Sequence, residues 1–375
     1  MPTDRFERKR EAILQASTRI LNDQGIRGLT LAGAGAAVGL STASIGYYFR
    51  RRDDLAAACL LGGIARLMET ATAAMAQPSP DLRLHSLVAG HMSRLGEDAP
   101  FPALGEIRAL AMPQRAEVFE AYVRLFRRLR TLFDHPELEG LSRGRRTART
   151  HILLAQILSL SEAPPSADPG VIADLMLKGV APQGSVWSPA SLSLAELSGP
   201  ETGQKTFLRA ATRMINARGY HGASVDRIAA DLNLTKGSFY HHLQTKDELV
   251  AACLAHSLEV MARLRAQAEG DDWAQLSAVS AALAEFQLSA DGPLLRSSAF
   301  RALPDALRAQ ALAGTRQMRD WLAARVSGPE RDLAARLLMA GLNAGSDLAA
   351  WVPGVSVKAA PAILARPLLM GLVAP

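Results

Sequence analysis

The chain has 375 residues, of which 49% are hydrophobic and 21% are charged, so it can build two or three domains and is not expected to be disordered. Aromatic residues make up only 5%, while Ala, Leu and Arg recur at helical spacing and alternating β-branched runs are scarce. We therefore expect an all-α protein. The net charge of +6 allows attraction to nucleic acid but does not establish it.

The sequence also argues against export, membrane insertion, metal sites and catalytic sites. The first 14 residues lack the apolar core of a signal peptide, and no stretch approaches the roughly 18 apolar residues that cross a bilayer, so we expect a cytoplasmic protein without a membrane partner. The two cysteines form no disulfide framework, and the eight histidines show no HxxH or HExxH spacing. Dispersed carboxylates such as Glu97, Glu106 and Glu285 are paired with no base at informative spacing. We therefore predict no metal, no cofactor and no enzymatic activity.

The first motif, residues 14–60, recurs as a second motif at residues 208–254. Pairing Gly25 with Gly219 aligns the two motifs without a gap, and about a third of the aligned pairs are identical. Weaker similarity returns downstream, where "IRAL" ending at Leu110 matches "FRAL" ending at Leu303, and "DLMLKGVAP" matches "PLLMGLVAP". A period this long indicates duplication of a whole domain rather than a solenoid.

Within the first motif, the segment "LAGAGAAV" is the first of two short predicted helices and contains Gly33 and Gly35. Each glycine costs a helix about 1 kcal/mol relative to alanine, so we expect this helix to be the softer of the two copies. The next helix has Thr42 where the second motif has Lys236, and Gly46 where the second motif has Tyr240. Tyr47, Tyr48 and the arginine run at residues 50–52 could replace the missing tyrosine.

Between the motifs lie two arginine-rich stretches and a connector. The stretches at 124–130 and 142–149 are interpreted as solvated faces or helix ends rather than DNA contacts. The connector is rich in Ser, Pro and Gly and suits a surface linker, on which Trp187 would dock against a neighbouring surface.

The second motif starts with a predicted helix that ends at Gly219, a natural left-handed cap. Ser224 and Thr235 have the positions and side chains of N-caps for two short helices, "VDRIAADL" and "KGSFYHHL". The second of these can place its N-terminal residues in the DNA major groove, which predicts a helix-turn-helix. The apolar face of the first helix consists of Phe207, Leu208, Ala211, Met214 and Ile215.

This arrangement resembles the TetR (tetracycline-repressor) family of bacterial transcription regulators. The resemblance rests on Gly219–Tyr220, Ser224 and "TKGSFYHHLQTKDEL". In that family three N-terminal helices bind DNA, a fourth leads to a larger helical domain with a small-molecule pocket, and two subunits dimerise through their last two helices. The resemblance implies contacts to DNA, which fits the polar and aromatic side chains on the short helices of both motifs. The residues implied are Thr30, Thr42, Ala43, Ser44, Tyr47, Tyr48, Arg52, Ser224, Lys236, Gly237, Ser238, Tyr240, His242 and Lys246.

We therefore predict a tandem duplication of a TetR-like unit that forms an intramolecular pseudo-dimer. Helices around 145–180 would pack against helices around 330–372 as a four-helix interface. The predicted segments are a first helix-turn-helix domain at 1–52, a first helical regulatory domain at 53–182, a linker at 183–203, a second helix-turn-helix domain at 204–246 and a second helical regulatory domain at 247–375. Further homodimerisation of such chains stays open.

The predicted partners are a double-stranded DNA operator with two half-sites, whose sequence is predicted to be asymmetric, and a small apolar effector. The predicted role is that of a repressor, which the effector releases from the operator. The effector is implied by the resemblance. Candidate pocket residues are aromatic, and for each of them ordinary core packing is the stronger interpretation: Phe101, Phe119, Trp273, Phe286 and Trp321. The alternative is a helical ligand-binding or protein-interaction module in which one or both DNA-binding motifs are vestigial.

Overall fold

The computed structural model describes residues 4–95, 100–162, 166–198, 203–223, 225–231, 245–352 and 354–374. The regular elements in these ranges are helical, in agreement with the all-α expectation. A 3₁₀-helix, Leu104–Ala109, lies between the fifth and sixth α-helices. The α-helices of the first half are α1 (Asp4–Gly28), α2 (Leu31–Ala37), α3 (Thr42–Tyr48), α4 (Arg52–Ala74), α5 (Pro80–Leu95), α6 (Gln114–Arg130), α7 (Arg143–Glu162) and α8 (Pro169–Lys178).

From the helix Gly203–Gly222 onward, the order of the described helices follows the order that starts at α1. A 3₁₀-helix, Ser297–Ala302, precedes the helix Asp305–Ala323 as Leu104–Ala109 precedes α6, and a π-helical turn, Pro361–Ala365, precedes the last helix. The described α-helices are α9 (Leu194–Ser198), α10 (Gly203–Gly222), α11 (Val225–Asp231), α12 (Lys246–Ala266), α13 (Asp272–Leu288), α14 (Asp305–Ala323), α15 (Arg331–Trp351) and α16 (Arg366–Met370).

The first helix of each motif is connected to the loop after α5 or α13 by the same pair of hydrogen bonds. Asn22 Nδ2 donates to the Phe101 carbonyl oxygen at 2.8 Å, and the aligned Asn216 donates to the Leu294 carbonyl oxygen at 2.8 Å. Each amide oxygen also accepts a backbone N–H two residues further along that loop, at 2.8 and 2.9 Å. One side chain therefore satisfies two backbone groups in each half, where water would otherwise have to do so.

Both first helices bend at the aligned glycines, of which Gly219 is the one predicted from sequence as a cap. Gly25 has φ 68° and ψ 179°, and Gly219 has φ 72° and ψ 167°. The positive φ is the one expected, but ψ is extended rather than left-handed helical, so each glycine starts an abrupt bend instead of a simple cap. The apolar face predicted for α10 is buried, since Phe207, Ala211 and Ile215 are each less than 9% exposed.

The two halves contact each other mainly through their last long helices. α7 packs along α15, and the segments that follow α8 and α16 cross each other. At this crossing Leu372 N donates to the Met176 carbonyl oxygen at 3.0 Å, while Val180 N donates to the Leu369 carbonyl oxygen at 2.8 Å. The hydrogen bonding is thus reciprocal between corresponding segments of the two halves.

Glycine allows the two backbones to come this close. Gly179 and Gly371 both have positive φ, at 71° and 105°. A Cβ at Gly179 would collide with the Leu369 carbonyl oxygen, and one at Gly371 would collide with the Leu177 carbonyl oxygen. A larger side chain at either position would therefore force the crossing segments apart.

One of the arginine-rich stretches is not fully solvated, contrary to its interpretation from sequence. Arg149 of α7 is 3% exposed, and its guanidinium donates to the carbonyl oxygens of Leu372, at 2.8 Å, and Ala374. Burial lowers the pKa of Arg149 to about 10, and the charges of Arg145 and Arg366 act in the same direction. Arg149 is thus part of the contact between the halves.

The segment predicted as a linker is anchored along part of its length. It contains the short helix α9, in which Leu197 is fully buried, and Trp187 packs against the main apolar core as expected. Ser193 N donates to Gln267 Oε1 at 3.2 Å, and Ser198 Oγ donates to Asp291. The connector therefore lies against α12 and the loop after α13.

Helix α4 corrects the expectation that no segment is long and apolar enough to cross a membrane. Among the described helices, Arg52–Ala74 meets that criterion by length and composition. In the fold, 56% of its apolar window is buried, and it packs against α1, α5 and α6. Its apolar surface is accordingly used by the core.

Candidate nucleic-acid interface

The two short helices of the first motif are capped by side chains. Thr30 Oγ1 accepts the Gly33 N–H at 2.9 Å at the start of α2, and Ser41 Oγ accepts the Ser44 N–H at 3.2 Å at the start of α3. Each cap satisfies one of the free amide groups at a helix start. Ser41 was not singled out from sequence, although it directly precedes the helix and aligns with the predicted cap Thr235.

α3 has one buried and one exposed face, as a DNA-reading helix requires. Ile45 is fully buried and Phe49, directly after the helix, is 6% exposed, so these two residues hold α3 against the body. The outward face can therefore enter a groove without uncovering apolar core. That face includes Thr42, Ala43, Ser44, Gly46 and Tyr47, all exposed.

Three aromatic rings meet where α1 begins and α3 ends. The Phe6 ring stacks on Tyr48 with 4.8 Å between centroids, and Tyr47 meets Tyr48 edge to face at 5.4 Å. Tyr47 is nevertheless 77% exposed. The ring contacts restrict its side chain, so its hydroxyl is displayed with less loss of conformational freedom on contact with a phosphate. Phe6 was missed from sequence, although it is an aromatic residue in an otherwise charged helix start.

The polar side chains of three predicted DNA contacts of the first motif already have protein partners, including Thr30 through the cap on α2. Ser44 Oγ lies 2.9 Å from Ser41 Oγ, as part of the cap. Arg52 forms an ion pair with Asp53, with both nitrogen-to-oxygen distances at 2.9 Å. A phosphate contact by Arg52 would have to compete with that carboxylate. Arg50 and Arg51 are exposed.

Gly35 has a packing role that the helix-propensity argument did not include. It is buried, and a Cβ there would lie 2.6 Å from the Leu40 carbonyl oxygen and 3.1 Å from Ile45. The absence of a side chain lets α2 approach the start of α3 closely. At Gly46, by contrast, nothing lies within 4 Å of a built Cβ, so the position can accept a larger residue.

Most predicted contacts of the second motif lie outside the described residues. This holds for Ser224, Lys236, Gly237, Ser238, Tyr240 and His242, and also for the predicted cap Thr235. Lys246 is described as the first residue of α12, where Thr245 Oγ1 accepts the Glu248 N–H at 3.1 Å. The pKa of Lys246 is lowered, first by burial and then by the positive charge of Arg27 from the first motif.

The first motif is connected to the regulatory helices by carboxylates as well as by Asn22. Glu106 Oε2 accepts the Ile26 N–H at 3.0 Å, just after the bend in α1. Gln114 Nε2, at the start of α6, donates to Asp54 Oδ1 at 2.7 Å, near the start of α4. A displacement of α6 or of the 3₁₀-helix before it would therefore be transmitted to the motif.

Four of the five aromatic residues proposed for an effector pocket belong to the main apolar core or pack against it. Phe101 and Phe286 belong to the main core. Trp273 Nε1 donates to the Val186 carbonyl oxygen at 3.4 Å under the connector, and the Trp321 ring lies 3.6 Å from the Arg325 guanidinium. Phe119 is 48% exposed and lines a cleft between the halves.

The aligned cysteines lie at matching places. The Sγ atoms of Cys59 and Cys253 each contact a carbonyl oxygen of the preceding long helix at 3.6 Å. Burial raises the pKa of the two thiols to about 11 and about 12, respectively. Neutral buried thiols are poor nucleophiles, which favours packing over redox sensing.

Comparison with known proteins adds independent information about the second motif. Residues 207–253 match the family described as "Bacterial regulatory proteins, tetR family". The transposon Tn10 TetC protein of Escherichia coli is 33% identical over 54 residues, which span 14% of this chain and 27% of that protein.

Solved structures of TetR-type regulators also resemble part of this chain. PfmR, a TetR family transcriptional regulator from Thermus thermophilus, aligns over 45% of this chain and 99% of its own, with 18% identity and a TM-score of 0.38. FadR, a fatty acid degradation regulator from Bacillus halodurans, aligns over 44% and 91%, with 16% identity and a TM-score of 0.35. Residues 207–253 of this chain are therefore similar to the tetR family of bacterial regulatory proteins.

Proposed function

We propose that this protein is a cytoplasmic transcription regulator that binds a two-half-site DNA operator through both helix-turn-helix motifs of one chain. The observation that carries the proposal is the exposed face of α3, held by Ile45 and Phe49 and flanked by the displayed Tyr47. The family match at residues 207–253 supports the same role for the second motif.

The paired ends of the two halves support an intramolecular pseudo-dimer. The packing of α7 against α15 and the reciprocal hydrogen bonds around Gly179 and Gly371 support this proposal, because corresponding segments of the two halves contact each other there. A second motif on the same chain makes the second DNA contact intramolecular, so affinity does not depend on dimerisation at low concentration. The five predicted segments, with boundaries at 52, 182, 203 and 246, remain part of this proposal.

The two motifs are expected to prefer different half-sites, because their outward residues differ at aligned positions. Thr42 and Gly46 face outward from α3 where the second motif has Lys236 and Tyr240. Hydrogen bonds to base edges depend on these side chains. An asymmetric operator follows, on which the protein acts as a repressor that a small effector releases.

In vitro selection of random duplex DNA on the full-length chain tests the proposal. Two unlike half-sites, separated by about one helical turn or a multiple, are the expected enriched sequence. A perfect palindrome would instead indicate two chains that each use one motif. Failure to enrich any sequence, at low as well as moderate salt, would contradict DNA recognition.

The alternative, in which the first motif is vestigial, is supported by Gly46, which lacks the side chain of the aligned Tyr240, and by the Arg52–Asp53 ion pair. Paired substitutions separate the two possibilities on the selected duplex. Lys236→Ala with Tyr240→Ala tests the second motif, and Tyr47→Ala with Arg50→Ala tests the first. If both motifs bind, each pair lowers affinity and makes the salt dependence shallower. An unchanged salt slope for the first pair would mean that only the second motif contacts DNA.

A further inference from the structure

A cleft of about 790 Å³ lies between the two halves. One wall is formed by the 3₁₀-helix Leu104–Ala109 and the start of α6 in the first half. The other is formed by α10, the first helix of the second motif, and by the loop after α13. Its volume is in the range of about 300–1,000 Å³ that is typical of small-molecule sites.

The polar part of the cleft is positively charged. None of its described lining residues is an aspartate or a glutamate. The Arg213 guanidinium donates to the carbonyl oxygens of Gly292, at 3.0 Å, and Ala290, which fix its position without cancelling its charge. Arg115 is exposed at the rim. The arginines in the lining are Arg108, Arg115, Arg213 and Arg296.

Apolar side chains line the same cleft next to these arginines. Met112 is 68% exposed and Phe119 is 48% exposed, and both side chains line the cleft. Leu288 and Pro293 contribute apolar surface on the opposite wall. A ligand with an apolar chain would cover these side chains while its head group reached the guanidinium groups.

The corresponding place in the second half has a different charge balance. The buried faces of α6 and α14 align at a spacing of 193 residues, which places Arg308 at the position of Arg115 and Leu312 at that of Phe119. Arg308 forms an ion pair with Asp305 at 2.7 Å, whereas Arg115 has the uncharged Met112 three residues before it. Asp23 likewise stands where α10 has Ala217. The positive charge balance therefore belongs to one of the two related surfaces, whereas an exposed apolar side chain is present in both, since Leu312 is 53% exposed.

The cleft walls are directly connected to both motifs. Arg115 and Phe119 lie on α6, whose first residue, Gln114, donates to Asp54 within the first motif. Arg213 and Asn216 lie on α10, within the second motif. A ligand that spans the two walls would therefore constrain the distance between the two motifs.

From these observations we propose that the cleft binds one amphipathic anion, with a carboxylate or phosphate head group on an unbranched apolar chain, and that its occupancy changes DNA affinity. Charge-assisted hydrogen bonds from arginine suit both head groups. The binding step stands independently of DNA, while the change in DNA affinity rests on the proposed function.

Calorimetric titration of the full chain, without DNA, tests the binding step. Decanoate and decyl phosphate are the probes, and 1-decanol and inorganic phosphate are the matched controls for chain and head group. We expect at least one of the two anions to bind at one site per chain. 1-Decanol and inorganic phosphate should each bind at least about tenfold more weakly than that anion. The stronger anion identifies the preferred head group.

Two variants and a matched control locate the site. Arg115→Glu is expected to weaken the anion about tenfold, and Phe119→Ser about fivefold, because they remove the charge and the apolar contact. Arg308→Glu, at the corresponding position of the other half, should bind as the wild type does. Arg115→Gln removes the charge without reversing it, so it should weaken anion binding to an intermediate degree and serves as the test if the charge-reversed protein misfolds. Thermal melts check that each variant is folded.

The proposal is overturned if neither anion binds, if 1-decanol binds as tightly as the anions, or if Arg308→Glu weakens binding as much as Arg115→Glu. Fluorescence anisotropy on the selected duplex then tests control of DNA affinity. A change of at least about fivefold with decanoate, absent in Arg115→Glu, is expected. If the anion binds without such a change, the binding site stands and its regulatory role is refuted. If the chain binds no DNA at all, only the proposed function is refuted.

Discussion

The two halves of the chain agree in how each motif is attached and differ in what each motif displays. Asn22 and Asn216 make the same two backbone contacts, and Gly25 and Gly219 make the same bend. Differences are concentrated at the outward position of Gly46 and at the clefts between the halves. Attachment of the motif to the body thus has fixed geometric requirements, while the surfaces that meet other molecules can diverge within one chain.

The largest expected effect is on that shared attachment. Asn216 is 7% exposed, so Asn216→Ala would leave the Leu294 carbonyl and the Arg296 N–H without their partner in a mostly buried place. We expect a loss of about 3 kcal/mol in the free energy of unfolding, measured by urea denaturation. The aligned Asn22→Ala should cost less, because Asn22 is only half-buried. Equal losses would show that burial does not distinguish the two attachments.

A buried histidine distinguishes the cores of the two halves. His91 is 2% exposed and lies 2.9 Å from Ser161 Oγ, whereas Ala284 stands at the aligned position. Burial lowers the pKa of His91 to about 4, and the charge of Arg66 acts in the same direction. The unfolded state therefore binds the proton more readily, so stability is unaffected above about pH 6.5 and falls as pH drops toward 4.

The expected contribution of His91 is a loss of about 2 kcal/mol between pH 7 and pH 5. Urea denaturation at both pH values checks it, with His91→Gln as the comparison. The variant should lose stability less steeply than the wild type over this interval. A slope that is the same in both proteins would mean that other groups account for the acid sensitivity.

The position shared by Gly35 and Ala229 tests the packing of the short helices. Gly35→Ala places a methyl group 2.6 Å from the Leu40 carbonyl oxygen, so we expect a destabilisation of about 1–2 kcal/mol despite the higher helix propensity of alanine. The reverse change, Ala229→Gly, should cost about 1 kcal/mol through backbone entropy. Thermal unfolding of both variants measures this. Stabilisation by Gly35→Ala would refute the close-approach argument.

The smallest expected effect concerns the outward face of α3. Gly46→Tyr introduces the residue that the second motif has at Tyr240, into a position with no neighbour within 4 Å. One added phosphate contact should raise affinity for the selected duplex about fivefold. Gly46→Phe, which lacks the hydroxyl, is the matched control. An equal gain from both variants would indicate an apolar contact instead.

The fold class, the repeated motif and the buried face of α10 could be predicted from sequence, because helical periodicity and a gap-free alignment are local signals. The aromatic contact of Phe6 with Tyr48 could not, since it joins the start of α1 to the end of α3. Arg149 was misread for a related reason. Composition identifies it as charged and solvated, but its carbonyl partners lie more than 200 residues away.

The candidate site was only partly accessible to the same reasoning. Exposure of Thr42 and Tyr47 follows from amphipathic spacing, and the structure places both outward. The Arg52–Asp53 ion pair and the cap formed by Ser41 depend on side-chain conformations that spacing does not specify. The cleft between the halves was not foreseen, because its walls come from segments about 100 residues apart.

The contact made by Arg149 also sets an order of events during synthesis. Leu372 follows Arg149 by 223 residues, so at about 5–20 residues per second the ribosome needs roughly 10–45 s to supply this carbonyl partner. During that interval the apolar surface of α7 has been made but α15 has not. A nascent first half would therefore expose a face able to pair with the first half of a neighbouring nascent chain, and slow decoding between the halves should increase aggregation.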